Sequence, residues 1–94
     1  MKAVFTDAAL SDLDEILAYT ATEYPSLVAP VEQRIRDVVA RLETWPLSAR
    51  LLEGHAGIHV LPLIRYPFKI FYRVEQDRIL ILHIHHVARR PWRN

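Results

Sequence analysis

Two runs rich in β-branched and aromatic residues, residues 68–74 (FKIFYRV) and residues 79–85 (ILILHIH), stand only four residues apart. Such runs favour extended backbone. A connector of Glu75, Gln76, Asp77 and Arg78 is short enough to force them into an antiparallel hairpin. With Gln76 and Asp77 as a two-residue turn, Val74 faces Ile79, Tyr72 faces Ile81 and Ile70 faces His83. Gln-Asp does not favour the positive φ angles of a type I′ turn, so a longer loop with a shifted register is the alternative. Alternation along the first run puts Phe68, Ile70, Tyr72 and Val74 on one face and Lys69 and Arg73 on the other. The apolar face needs a cover, and the rest of the chain must supply it.

The first half of the chain reads as that cover. Residues 2–6 (KAVFT) form a short β-prone run, and Asp7 is placed to cap a helix. From residue 8 to residue 24, Leu10, Leu13, Leu17 and Tyr24 fall on one stripe with Ile16 beside it. Asp12, Asp14 and Glu15 take the solvent side of the first turns, where the helix dipole favours carboxylates. Tyr24-Pro25 ends that helix, and Ser26 can cap the next, with Pro30 tolerated in its first turn. Val31, Ile35, Val38 and Leu42 recur at intervals of four, three and four, an amphipathic pattern that Trp45-Pro46 closes. Helices joined by so short a turn pack as antiparallel neighbours. Residues 47–57 read as a loop around Gly54 and Gly57. Residues 58–64 read as a strand that Pro62 makes an edge or a bulge. The expectation is one domain over residues 1–94, of class α+β and order β-α-α-β-β-β. Its small, mainly antiparallel sheet carries a helical hairpin on one face, leaving an arginine-bearing surface open on the other.

That open surface matters because charge is unevenly spread. Residues 1–47 hold four Lys/Arg against eight Asp/Glu, whereas residues 48–94 hold eight against three, with all five histidines. The net +1 thus conceals an acidic half and a basic half. A basic face calls for an anionic partner or cap, although arginine on an exposed strand also serves as plain surface protection. A chain this short buries only about 60–65% of its unfolded surface. With no Cys for a disulfide or thiolate metal site, a second chain is the simplest remaining stabiliser. Acidic residues interrupt any early apolar run, and no uncharged stretch nears the roughly 18 residues of a membrane span. A soluble, cytoplasmic protein with no membrane partner is expected.

Lys69 and Arg73, with Arg65 before them and Arg89, Arg90 and Arg93 after the last strand, can hold phosphates, while Phe71 and Trp92 can stack a base. His83 and His85, at i and i+2, share a strand face. They either complete the apolar face or act as acid and base in RNA cleavage, with Lys69, Arg65 or Arg73 stabilising the charge. A metal is not expected, because no Cys is present and no carboxylate lies near them in sequence. No cofactor is expected either. No serine sits in a glycine elbow, and the two glycines match no phosphate-cradling loop.

The element order, the short length and the segment YPFKIFYRV-EQDR-ILILHIHHVARRPW resemble the RelE/ParE superfamily of type II toxin–antitoxin toxins. Asp12-Leu13 and Ile16 through Tyr19 share in the resemblance, which covers nearly the whole chain. It implies a toxin neutralised by a cognate antitoxin in a hetero-oligomeric complex. ParE-like members inhibit DNA gyrase through protein contacts and are not enzymes; RelE-like members cleave mRNA on the ribosome. The HHVARRPW ending is the more ParE-like. On that reading Arg65, Lys69, Arg73, Arg89, Arg90 and Trp92 contact gyrase or antitoxin, and no residue is catalytic. On the RelE-like alternative, a metal-independent endoribonuclease, Lys69, Arg73, His85 and His86 carry the chemistry. A non-toxic protein-binding module is the third possibility.

Overall fold

In the computed structural model, which describes residues 1–88, a five-stranded mixed sheet carries two helices on one face. The elements in chain order are β1 (Lys2–Phe5), α1 (Asp7–Glu23), a 3₁₀ turn (Pro25–Leu27), α2 (Val28–Thr44), β2 (Arg50–Leu51), β3 (Ile58–Pro62), β4 (Phe68–Val74) and β5 (Arg78–His86). The spatial order is β1-β5-β4-β3-β2. β1 runs parallel to β5, and the other neighbours are antiparallel.

The α2 stripe is as its periodicity predicts: Val31, Ile35, Val38 and Leu42 are all buried. They pack on Ile70, Tyr72, Ile79, Ile81 and Ile84 of the central strands. In α1 the buried line is displaced. Ala9 and Thr20 are buried, and Leu13, Ile16 and Leu17 pack against the core, while Leu10 and Tyr24 are exposed. Thr6, rather than Asp7, caps α1, its Oγ1 accepting from Ala9 N at 3.2 Å. The same hydroxyl donates to Ile81 O at 2.9 Å, so the cap also ties the helix start to β5. Ser26 falls in the 3₁₀ turn, and no side chain caps α2.

Part of the expected loop over residues 47–57 is a strand, since β2 pairs Arg50 with Val60 and Leu51 with His59. Two residues carry no period, so sequence offers no signal for it. β2 stops short of Pro62, which therefore borders no strand on that side and needs no donor there.

The hairpin register holds from Val74↔Ile79 to Tyr72↔Ile81 and then shifts. Phe71 pairs with His83 and Ile70 with Ile84, so β5 carries one extra residue, Leu82, as a bulge. The shift overturns the expected Ile70–His83 pairing and the reading of His83 and His85 as apolar-face residues. Ile84 takes the core position, and both imidazoles move to the side of Phe71 and Lys69.

Candidate functional site

β1 ends opposite Ile81, so among the described residues no strand continues along that side of β5 from residue 82 to residue 86. An unpaired strand edge presents backbone groups that need partners. The chain turns at Thr6 into α1, and Asp12 on that helix reaches this edge. Its Oδ2 accepts from Ile84 N at 3.0 Å and from His83 Nδ1 at 3.0 Å. A carboxylate can only accept, so the shared proton lies on His83 Nδ1. His85 Nε2 is 3.9 Å from the same oxygen, beyond hydrogen-bonding range. The imidazole rings are 4.8 Å apart and tilted by 48°. Asp12 and His85 are largely enclosed, with side chains 14% and 9% exposed, while His83 retains 27%.

Asp12 is thus the functional candidate that the sequence placed wrongly, on the solvent side of α1. Its partners lie more than seventy positions away, a separation that no local pattern encodes. The bulge at Leu82 is what turns His83 and His85 to meet it.

On the sheet side away from the helices, Ile58, Val60 and Phe71 form a second buried cluster, with Leu52 and Leu82 against it. The surface expected to be open is therefore closed in its middle by the protein's own apolar side chains, and only its margins, at Lys69 and Arg73, carry charge. Lys69 pairs in register with His85 and holds its ammonium 5.6 Å from the Phe71 ring centroid. Phe71 in turn meets His85 edge-on at 5.3 Å. Arg73 is exposed and lies 3.8 Å from Glu75, which also binds Arg78 at 3.0 Å. The cations of β4 have no counterpart on β3, whose one titratable group, His59, faces the helices. There it stacks on Tyr72 and bonds Ala49 O at 2.9 Å.

The remaining candidates are dispersed. Arg65 sits in the turn before β4 with φ 83° and lines a hollow with Arg34, Asp37 and Arg41 of α2. It therefore lies on the helix side, apart from Lys69 and Arg73. His86 points away from His85, into a groove lined by Asp12, Glu15, Ile16, Tyr19, Phe68 and Ile84. It meets Phe68 edge-on and accepts from Ala88 N at 3.0 Å. Arg89, Arg90, Trp92 and Arg93 lie outside the described residues. Among the described residues no helix is long and apolar enough to cross a membrane.

Comparison with known proteins points to one group. The model of the family described as ParE toxin of type II toxin–antitoxin system, parDE, matches residues 3–91. A solved structure of a chromosomal ParDE toxin–antitoxin system from P. aeruginosa is similar, with 28% identity and a TM-score of 0.79 over 92% of this chain and 95% of that one. The RelBE2 toxin–antitoxin complex from Mycobacterium tuberculosis aligns with 22% identity and a TM-score of 0.62, over 90% and 95% of the two chains. The isolated E. coli RelE toxin aligns with 17% identity and a TM-score of 0.63, over 94% and 85%. The last two likenesses concern the fold alone. A comparison with curated protein sequences finds no match.

Proposed function

The chain belongs to the ParE toxin family of type II toxin–antitoxin systems, and from that premise we propose that it inhibits DNA gyrase by protein contact and is neutralised by a cognate antitoxin. The observation that carries the choice of target is the side of β3 turned away from the helices. A ribonuclease of this fold needs cations there to hold the phosphate and offset the charge of the transition state. β3 instead turns Ile58 and Val60 to that side, both buried against Phe71, and offers no cation there. With the middle of that side closed by the protein's own apolar side chains, Lys69 and Arg73 offer too little positive charge to hold an RNA backbone, which favours the protein-contact reading. The greater likeness to the ParDE structure than to the RelE toxin supports the same reading.

In this proposal Arg89, Arg90 and Trp92 make the gyrase contact, since Arg and Trp are typical interface anchors. The antitoxin covers the basic half, with Lys69 and Arg73 at its border, and the complex is hetero-oligomeric and cytoplasmic. The similar P. aeruginosa protein comes from a toxin–antitoxin pair, which supports an antitoxin for this chain too.

One observation favours the mRNA endonuclease as a second reading. Asp12 holds His83 at 3.0 Å, and a carboxylate-oriented imidazole is an arrangement that can move a proton. Two assays separate the readings. Purified toxin is added to gyrase supercoiling reactions and, separately, to translating ribosomes with mapping of mRNA ends. The expected result is supercoiling inhibition that antitoxin relieves, that Arg89→Ala/Arg90→Ala/Trp92→Ala abolishes, and that His85→Ala/His86→Ala leaves intact. Cuts confined to the ribosomal A site, without gyrase inhibition, overturn the proposal. An inert protein that causes no growth arrest overturns both readings in favour of a non-toxic module.

A further inference from the structure

We propose that Asp12, His83 and His85 form a binding site for a divalent transition metal of the zinc class. The inference stands whichever macromolecule the toxin attacks. Each of the three side chains offers one ligand atom, and these atoms lie within 4.8 Å of one another. Zinc binds imidazole nitrogen and carboxylate oxygen at about 2.0–2.2 Å, so tetrahedral ligand atoms sit about 3.3–3.5 Å apart. Asp12 Oδ2 already lies 3.0 Å from His83 Nδ1 and 3.9 Å from His85 Nε2. Small side-chain rotations bring the three into coordinating positions.

The donor chemistry selects the ion. Two imidazoles and one carboxylate suit zinc, nickel or cobalt, whereas magnesium and calcium prefer all-oxygen shells. The carboxylate is also held by the backbone, because Ile84 N–H donates to it at 3.0 Å. Ligating carboxylates are commonly fixed in this way. On binding, the ion replaces the proton shared by His83 and Asp12, and a fourth position stays open to water or to a partner's side chain. One ligand comes from α1 and two come from β5, so the metal clasps the helix to the strand edge that β1 leaves uncovered.

The test uses the full-length, untagged toxin, stripped with chelator and titrated with Co²⁺. The expected result is saturation at one equivalent, the visible absorption bands of four-coordinate cobalt, and their loss when Zn²⁺ displaces it. Asp12→Asn should weaken binding by roughly tenfold or more, as should His83→Ala and His85→Ala, whereas His86→Ala should not. Asp12→Asn keeps the size of the side chain and an acceptor for Ile84 N, so it decides the matter if the alanine variants do not fold. Wild-type protein that shows no saturable cobalt spectrum, or binding undiminished by Asp12→Asn and by His83→Ala/His85→Ala together, overturns the proposal.

Discussion

The two halves of β5 are bordered in different ways. From Arg78 to Ile81 the strand lies beside β1 in a parallel ladder, and its inward residues Ile79 and Ile81 are fully buried. From Leu82 onward no strand lies on that side among the described residues; side chains meet the edge instead, the Thr6 hydroxyl at Leu82 O (3.2 Å) and the Asp12 carboxylate at Ile84 N (3.0 Å). The first half uses repeated backbone bonds and apolar packing. The second concentrates its polar chemistry on Asp12, His83 and His85. Backbone satisfied by a ladder leaves its side chains free to pack, whereas backbone satisfied by a side chain draws polar residues to the same place. Chemistry in this fold accordingly gathers where the ladder stops.

Three measurements can break or sharpen that contrast. The largest effect belongs to the shared core: Ile81→Ala and Ile84→Ala should each cost about 2–5 kcal/mol, read from urea midpoints. A loss at Ile84 well below that at Ile81 would show that the second half contributes little packing. Asp12→Ala comes next, at about 1–3 kcal/mol, because it removes the acceptor of the Ile84 amide and a partner of the His83 ring together. Hydrogen exchange should quicken at the Ile84 amide and hardly change in β1. Uniform quickening across both halves would erase the distinction.

The smallest effect lies at the join, where Tyr72 pairs with Ile81 and donates its hydroxyl to Pro46 O at 2.9 Å. Tyr72→Phe should cost about 0.5–1.5 kcal/mol. Burial pushes this hydroxyl above its ordinary value of 10.0. The folded protein therefore keeps a proton that the unfolded chain releases, and stability falls as pH rises above about 10. In Tyr72→Phe that alkaline decline should be shallower. An unchanged slope would assign the decline to other groups.

What the residues alone reveal divides along similar lines. The four buried positions of α2 and the hairpin pairing up to Tyr72 are legible, because each rests on local periodicity. Leu82 is not, since a bulge reflects how two particular strands twist together and leaves the composition of either one unchanged. Leu10 fits the stripe of α1 yet remains exposed, while the smaller Ala9 is buried where helix and sheet approach closely. Asp12 looks like any carboxylate near the start of a helix, and only the end of β1 opposite Ile81 gives it an edge to serve. The charge imbalance points to the second half as the place for a site, and two of the three clustered side chains do lie there. It says nothing of the acidic residue supplied by the first.

The pairing of β1 with residues 78–81 also bears on how the protein is made. During translation, Lys2–Phe5 emerges well before the hairpin and finds no strand to pair with until β5 has been synthesised. Both helices must therefore leave the ribosome with their apolar stripes uncovered, and nascent chains in that condition are open to chaperone capture and misassembly. Closure of the sheet waits on contacts distant in sequence, which slows folding. A prematurely terminated product lacking β5 has no strand to join β1 to β4 and loses Ile79, Ile81 and Ile84 from its core.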